Sequence, residues 1–321
     1  MTRPARPAGV ALAPGRVVAN HGRQLVVEDG AGRRVPCRLN GRRLSAVCGD
    51  EVRWGHAHAG ETYGTVYEVL ARRRTLERLT AGGRTEAVVA NLTQLVAVVA
   101  PLPAPDWFVV DRYLAGAAWC GIAAVVAFNK AELAAPSSAE AELEGYAALG
   151  IAIVRCSTRA APGIAALAAR LAGAVSVLVG QSGTGKSSLL NGLAPEARAV
   201  TREISAATEE GRHTTTHAVL HRLASGGDLI DSPGVRDYAP PLPAPRHVGS
   251  GFVEIERAAA GCRFQDCLHD AEPACAVHAA VSAGAVRARR YESYRRLLAL
   301  AREHDARHPG RRGGTRAPRA T

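Results

Sequence analysis

The chain has 321 residues, 47% of them hydrophobic, which is enough for two or three domains with a sizeable core. Its formal net charge of +11 indicates a polyanionic partner, which we take to be nucleic acid. The longest apolar stretch, residues 87–100, is broken by polar residues and is too short to span a membrane. The apolar run near the N-terminus is too short for a signal peptide. We therefore expect a cytoplasmic protein with no membrane partner.

The first quarter of the chain predicts a small β-barrel. Residues 1–14 are rich in Pro and Ala and predict a disordered leader. Residues 15–75 contain short alternating segments separated by Gly, Asn and Asp, which predict a five-stranded barrel of the OB type. Its arginines make it a candidate RNA-binding surface. Trp54, Tyr63 or Tyr67 would either stack on bases or fill the core, and we favour the core.

Residues 72–84, which contain Gly82 and Gly83, predict a linker to the next unit. From residue 85 to residue 240 apolar strands alternate with helical segments, which predicts a parallel α/β sheet. The predicted strands are 95–99, 123–128, 151–155, 175–179, 218–223 and 228–230, and the predicted helices are 106–120, 137–149 and 162–171. Ligands of such sheets bind at the carboxyl ends of strands, where the following motifs lie.

The segment from Gly180 to Ser187, with the sequence GQSGTGKS, has the pattern of a phosphate-binding P-loop. It follows an apolar run and opens into a helical segment, as such a loop requires. Backbone N–H groups would face the phosphates, Lys186 would reach the β- and γ-phosphates, and Ser187 would bind Mg²⁺. The residues predicted to bind the nucleotide here are Gly180, Gln181, Ser182, Gly183, Thr184, Gly185, Lys186, Ser187 and Ser188.

Two further motifs predict the switches of a P-loop GTPase. Asp231 ends a predicted strand and would hold Mg²⁺ through water, while the Gly234 N–H would contact the γ-phosphate. Upstream, one of the two residues Thr214 and Thr215 would complete the Mg²⁺ shell through its hydroxyl. Because the second switch runs almost directly into the C-terminal region, nucleotide state would be transmitted to that region.

Base recognition is predicted from motifs that precede the P-loop in the chain. Asn129, Lys130 and Glu132 follow one strand, and Ser157 and Thr158 follow the next. They correspond to the guanine-reading Asn-Lys-x-Asp and Ser-Ala elements of GTPases, which normally come after the P-loop. A circular permutation explains the order, since it keeps the sheet and moves the chain ends.

Two positions depart from the GTPase pattern. Glu132 stands where an aspartate normally pairs with guanine, and its extra methylene puts base selectivity in question. Val235 stands where Ras-type enzymes place the glutamine that orients water, so we expect slow intrinsic hydrolysis unless a partner supplies a polar group. His213 is the candidate for this polar group. The alternative is that His213 is a surface imidazole that is hydrogen-bonded within its own loop.

The C-terminal region predicts a metal centre. Cys262, Cys267, His269 and Cys275 offer three thiolates and an imidazole, a set that suits one structural Zn²⁺. His278 is an alternative to His269 as the fourth ligand. The zinc would stabilise a loop that is too small to have its own core.

A proline-rich connector, residues 240–245, leads into this region, which we predict to be helical over residues 246–304, with a last helix at 285–304. Residues 305–321 are rich in Arg, Gly and Pro and predict a disordered basic tail. The tail would be either a flexible arm on RNA or a solvated segment.

The order of these motifs, from the barrel to the Cys262 cluster, resembles that of the small-ribosomal-subunit-dependent GTPases, the RsgA or YjeQ family, over residues 15–298. The resemblance implies an OB-fold domain, a circularly permuted GTPase domain and a zinc-binding domain. It also implies the 30S ribosomal subunit and 16S rRNA as partners, and a role in late maturation of that subunit.

We therefore predict a Mg²⁺-dependent GTPase that converts GTP to GDP and phosphate, is stimulated by the 30S subunit, and uses hydrolysis to time its release. Two alternatives stay open from the residues themselves. One is a nucleotide-gated RNA-binding module whose hydrolysis is too slow to matter. The other is an ATP-using RNA-remodelling enzyme, which stays open because Glu132 departs from the guanine-reading pattern. The sequence says little about the oligomeric state, so we take a monomer as the default.

Overall fold

The computed structural model describes residues 11–22, 24–41, 43–56, 61–80, 85–196, 218–236 and 238–307. The predicted first switch, with His213, Thr214 and Thr215, lies outside the described residues, as does most of the predicted leader and tail. Among the helices that are described, none is both long enough and apolar enough to cross a bilayer.

The N-terminal strands close into the predicted five-stranded barrel. They are β1 (Ala13–Asn20), β2 (Leu25–Asp29), β3 (Arg34–Leu39), β4 (Glu51–Gly55) and β5 (Gly64–Val69). They pair in the order β1, β2, β3, β5 and β4, and β4 pairs back onto β1, so the barrel closes. β1 begins at Ala13, two residues inside the segment predicted as a leader.

The aromatic side chains of the barrel divide between core and surface. Trp54 is 3% exposed and packs with Val17, Val27 and Val66, as favoured from the sequence. Tyr63 is 41% exposed, so the core prediction is wrong for this residue. The difference arises because Tyr63 lies outside the strand, one residue before β5 begins.

The segment predicted as a linker is instead part of a β-hairpin. β6 (Thr75–Leu79) pairs antiparallel with β7 (Thr85–Ala90). The linker prediction is wrong because alternation in this segment puts Leu76 and Val89 on one face, and both are fully buried in the main core. A glycine pair between two alternating runs is in fact a hairpin signal.

The central sheet contains β8 (Gln94–Val99), β9 (Ala123–Phe128), β10 (Ala152–Arg155), β11 (Val175–Val179), β12 (Ala218–Arg222) and β13 (Asp228–Asp231). β10, β9, β8, β11 and β13 are parallel in that order. β12 is antiparallel to β13, which corrects the prediction of an all-parallel sheet. A short turn joins these two strands, and a parallel pair would need a long crossover.

The barrel and the central sheet are continuous. β12 also pairs antiparallel with β1, where Ala19 faces Val219, so within the described residues one sheet of eleven strands runs through both units. The hairpin adds a parallel bridge from Cys48 of the barrel to Val89. The barrel is therefore joined to the central sheet by backbone pairing as well as by side-chain packing.

Helices cover both faces of the central sheet. They are α1 (Trp107–Trp119), α2 (Ser137–Ala148), α3 (Ala165–Leu171), α4 (Lys186–Leu193) and the short α5 (Pro233–Arg236). α1 begins after Asp106, whose carboxylate accepts hydrogen bonds from the N–H groups of Phe108 and Val109. α3 begins three residues later than predicted, because Gly163 adopts a positive φ of 74° just before it.

The C-terminal region contains a 3₁₀ helix (Pro245–Gly251), α6 (Val253–Ala259), α7 (Ala276–Ser282) and α8 (Ala288–Arg307). α8 extends to Arg307, so the first three residues of the predicted disordered tail are helical. The core of this region includes Phe252, Tyr294 and Leu297, and it packs against Ala115 and Trp119 of α1.

A buried network of charged groups joins the C-terminal region to α1. The Asp111 carboxylate, fully buried, accepts hydrogen bonds from Arg290 (2.7 Å), Arg289 (2.6 Å) and the Tyr146 hydroxyl (2.5 Å). Arg290 also donates to both carboxylate oxygens of Glu254. Burial opposes the charge of Arg290, but Asp111 and Glu254 outweigh that effect and raise the pKa of the guanidinium.

Candidate nucleotide-binding site and metal centre

The P-loop leaves the carboxyl end of β11 and leads into α4. Gly180 has a φ of +147°, and a Cβ there would lie 2.3 Å from the Val98 carbonyl oxygen. Gly185 has a φ of +94°, and a Cβ there would lie 2.3 Å from Nδ2 of Asn129. These two positions accept glycine alone, because both the backbone conformation and the close neighbours exclude a side chain.

The side chain of Lys186 turns back across the loop. Its Nζ donates to the carbonyl oxygens of Gly180 (2.6 Å) and Gln181 (2.7 Å). Lys186 also lines a pocket together with Ser187, Asp231 and Ser232, so the predicted phosphate and Mg²⁺ ligands of the P-loop and second switch lie together. The remaining P-loop residues Ser182 and Ser188 are exposed, while Thr184 is buried.

The predicted base-reading motif contacts the P-loop directly. Asn129 is 1% exposed and its Nδ2 donates to the Thr184 carbonyl oxygen at 2.9 Å. Lys130 has a φ of 56°, and its Nζ donates to the Leu102 carbonyl oxygen at 2.7 Å. The two loops that follow β9 and β11 are thus held against each other, although the chain reaches the first of them long before the second.

Glu132, the acidic residue of this motif, lies beside Ser157 of the second predicted base-reading element. A hydrogen bond from Ser157 is the main reason that the pKa of Glu132 is lowered, with smaller contributions from the charges of Arg159 and Lys130. The Ser157 hydroxyl oxygen accepts from the N–H groups of Arg159 and Ala160, which shape the loop after β10. Thr158 is exposed. An ionised Glu132 can accept hydrogen bonds from the N1–H and amino group of guanine.

The second switch packs against the hairpin. Val235 is 2% exposed and belongs to the main core, so its side chain is not directed at a nucleotide. A Cβ on Gly234 would lie 3.0 Å from Cγ1 of Val88 and 3.5 Å from Nη1 of Arg78. Arg78 is held by Glu86, its partner across the hairpin (Nη2 to Oε1, 2.5 Å).

Two contacts around the site were missed from the sequence. The loop after β8 borders the P-loop: Pro103 lies 3.4 Å from the position of a Cβ on Gly183, and the Gln181 side chain accepts from the Asp106 N–H at 2.9 Å. The hairpin residues Arg78 and Val88 border the second switch. The first contact follows from the rule that ligand loops lie at the carboxyl ends of parallel strands, since 101–106 follows β8. The contact of the hairpin with the second switch could have been predicted only if the hairpin itself had been recognised in the sequence.

The four predicted metal ligands converge, and their donor atoms all lie within 4.8 Å of one another. Cys275 Sγ lies 3.9 Å from Cys262 Sγ and 3.8 Å from Cys267 Sγ, and His269 Nδ1 lies 3.5 Å from the sulfurs of Cys262 and Cys275. Tetrahedral Zn²⁺, with Zn–S near 2.3 Å and Zn–N near 2.0 Å, requires edges of about 3.8 Å and about 3.5 Å. The donor set therefore fits zinc in both type and spacing.

Neighbouring groups hold the metal loop in shape. Burial would raise the pKa of Glu272, but N–H groups of the loop, including those of Leu268, Asp270 and Ala271, donate to its carboxylate and lower the pKa to about 2. His278 is not in the cluster: its Nε2 lies 3.1 Å from the His269 carbonyl oxygen and 2.8 Å from the Tyr291 hydroxyl. Of the two histidines considered from the sequence, His269 is thus the one beside the thiols.

Together, the fold and the site identify the class of enzyme to which this protein belongs. A P-loop follows β11, an aspartate ends β13, and an Asn-Lys motif after β9 is bonded to the P-loop while preceding it in the chain. This is the arrangement of a P-loop GTPase whose sequence order is circularly permuted.

Comparison with known proteins gives the family. A sequence profile of the RsgA GTPase matches residues 69–239. The small ribosomal subunit biogenesis GTPase RsgA of Ectopseudomonas mendocina is 39% identical over 91% of this chain and 86% of its own length, and that of Chromohalobacter salexigens is 40% identical over 88% and 85%. The chain therefore belongs to the RsgA GTPase family, and it is a GTPase.

Solved structures agree with this assignment. The crystal structure of YjeQ from Thermotoga maritima is 30% identical and superposes with a TM-score of 0.72, covering 91% of this chain and 99% of that one. YloQ, a circularly permuted GTPase, has the same fold, with a TM-score of 0.70, 23% identity and coverage of 93% and 98%. The predicted barrel, the permuted GTPase fold, the enzyme class and the family resemblance are thus confirmed.

Proposed function

We propose that this GTPase assists late maturation of the small ribosomal subunit, binding 16S rRNA and hydrolysing GTP to GDP and phosphate when the 30S particle stimulates it. The names of its relatives support the ribosomal role. The observation that carries the proposal is the pocket in which Lys186 and Ser187 meet Asp231, with the guanine-type motif bonded to the same loop through Asn129.

The roles of the residues follow from their positions. Backbone N–H groups of the P-loop and the Lys186 ammonium would stabilise negative charge that develops on the γ-phosphate. Ser187, Asp231 and one of Thr214 and Thr215 would hold Mg²⁺, which adds positive charge between the phosphates. The Gly234 N–H would contact the γ-phosphate oxygen. Asn129, Lys130, Glu132 and Ser157 would bind the base.

Dependence on the ribosome is supported by Val235. A buried valine cannot hydrogen-bond the attacking water, so the polar contact must come from another group. His213 of the first switch remains our candidate, oriented once the particle is bound. A GTPase of this kind would hydrolyse slowly alone and quickly on its target, which suits a timer for release.

The surface of the barrel supports contact with RNA. The Arg38 guanidinium lies over the exposed ring of Tyr63, 4.9 Å from its centroid. Arg38 is on β3 and Tyr63 ends the loop between β4 and β5, two elements by which OB-folds hold single strands. Zinc in the Cys262, Cys267, His269 and Cys275 cluster would stabilise the third unit, and the spacing of the donor atoms supports that metal.

Phosphate release from GTP and from ATP, with and without 30S subunits, tests the proposal. We expect strong stimulation that is confined to GTP, and we expect Lys186→Ala to abolish it. Absence of stimulation would favour a nucleotide-gated RNA-binding module. Equal use of ATP would favour the RNA-remodelling alternative. Unchanged turnover in Lys186→Ala would remove the P-loop from the mechanism.

A further inference from the structure

The zinc-binding region carries an exposed aromatic ring whose surroundings repeat those of the barrel. Among the described residues, the exposed large hydrophobic side chains are Tyr63, Leu102, Leu133 and Phe264. Two of these are aromatic, and each has an arginine against its ring: Arg38 over Tyr63, and Arg263 over Phe264 at 5.6 Å. One pair belongs to the barrel and the other to the metal loop, so the same surface feature recurs in two separate units.

Phe264 is held firmly although it is exposed. It lies between Cys262 and Cys267, two of the four residues that fit zinc, and the Cys267 N–H donates to its carbonyl oxygen at 3.3 Å. On the other side of the loop the Cys262 N–H donates to the Ala259 carbonyl oxygen at 3.0 Å. The ring is 43% exposed, yet the backbone of its loop is hydrogen-bonded on both sides of it. Little conformational entropy would be lost when a ligand covers it.

The chemistry around the ring favours a nucleobase over a protein surface. Protein interfaces centre on a patch of several packed apolar residues, whereas Phe264 is flanked by the exposed polar residues Arg263, Gln265 and Asp266. A single flat ring beside a guanidinium is the arrangement that binds an unpaired base, which stacks on the ring while the arginine meets the backbone. The chain's net charge of +11 favours the same polyanion.

We propose that Phe264 is a stacking site for an unpaired RNA base and that Arg263 contacts a phosphate beside that base. This inference rests on the proposed rRNA binding and adds a second point of contact to the Arg38 and Tyr63 pair of the barrel. With one contact in the barrel and one in the metal loop, the RNA would bind the protein in a single orientation.

The affinity of the full-length, zinc-loaded protein for 30S subunits tests the stacking. Base stacking on an aromatic residue is worth about 1–3 kcal/mol, so Phe264→Ala should weaken binding about tenfold. Phe264→Trp should retain the affinity, Phe264→Leu should lose it, and the matched control Gln265→Ala should leave it unchanged. Each variant must first be shown to hold zinc as the wild type does. Full binding by Phe264→Leu would indicate an apolar protein contact and overturn the proposal.

Salt dependence separates the roles of the two residues. Each phosphate contact contributes about one unit to the slope of log affinity against log salt concentration. Arg263→Ala should therefore lower the slope by about one, while Phe264→Ala should lower the affinity at every salt concentration and leave the slope unchanged. A smaller slope in Phe264→Ala, or an unchanged slope in Arg263→Ala, would contradict these assignments.

A measurement without ribosomes makes the site testable by itself. In Phe264→Trp, single-stranded RNA oligonucleotides should quench the added tryptophan fluorescence, and abasic oligonucleotides of the same length should not. Equal quenching by both would overturn the stacking site. If the wild type fails to bind 30S subunits while base-dependent quenching persists, the proposed ribosomal function fails and the nucleobase site stands.

Discussion

Among single residues, Glu132 is the one that we propose to read guanine. Its carboxylate lies next to Ser157, and the hydrogen bond from that residue lowers its pKa, so it is ionised at neutral pH. A lowered pKa also means that the charged form persists as the pH falls below the ordinary range of a glutamate. Ser157, in the loop after β10, is 2% exposed.

Exchange of Glu132 for glutamine should change the preferred base. A carboxylate accepts from the two donors of guanine, whereas an amide can accept from N1–H and donate to the 2-oxo group of xanthine. We expect Glu132→Gln to lower the preference for GTP over XTP by roughly tenfold or more, measured by nucleotide competition. Glu144→Gln, an exposed change on α2, serves as the control. An unchanged preference would show that Glu132 does not contact the base.

Gly234 is a second residue with a testable contact. An alanine there would place its Cβ 3.0 Å from Cγ1 of Val88, so the Val88 side chain or the switch backbone must give way slightly. We expect Gly234→Ala to slow hydrolysis about tenfold, equivalent to about 1.4 kcal/mol, with little change in KM for GTP. Adding Val88→Ala should restore part of the rate because it removes the clashing methyl. Steady-state kinetics of both single variants and the double variant measure this coupling.

At the scale of elements, α1 links the nucleotide site to the C-terminal region. Tyr113 on one face of α1 stacks on Tyr238, which follows the second switch, with ring centroids 6.2 Å apart. Asp111 on another face holds Arg289 and Arg290 of α8. The sequence predicted that nucleotide state reaches the C-terminal region through the chain connection. We propose that the packing of α1 would offer a second route between the two regions.

The buried network at Asp111 should contribute strongly to stability. Asp111→Ala leaves Arg290 buried with one carboxylate fewer, and breaking a buried pair in this way costs about 3–5 kcal/mol. Urea unfolding followed by tryptophan fluorescence, to which Trp107 and Trp119 on α1 contribute along with Trp54 of the barrel, would measure the loss. Glu303→Ala, which removes an exposed pair with Arg307, should change stability by less than about 0.5 kcal/mol. Equal effects of the two variants would contradict the assigned role of the network.

At the scale of the whole molecule, the metal centre should stabilise one unit without the others. Chelation should release one zinc per chain and remove hydrogen-exchange protection from residues 262–275, while α4 keeps its protection. His269→Ala should weaken zinc binding by roughly 100-fold or more. His278→Ala should weaken it by roughly tenfold or less, because His278 contacts the backbone carbonyl of the ligand His269. Retained protection after complete zinc loss would contradict this.

Much of the site could be predicted because its chemistry is local. The P-loop pattern and the sets around Asn129, Asp231 and Cys262 each lie within a few consecutive residues, and each follows a strand or a tight turn that the sequence also indicates. The permuted order could be inferred for the same reason, since the motifs are recognisable wherever they stand in the chain.

The barrel, the GTPase class, the candidate metal ligands and the valine in place of a catalytic glutamine could all be read from the chain, because they depend on residue type and short spacing. The three-dimensional structure was needed to show that the hairpin of residues 75–90 lies against the second switch, that β12 runs antiparallel and joins the barrel, and that Asp111 meets Arg290. These contacts join residues far apart in the chain. They are set by the packing of whole elements, which no local pattern encodes.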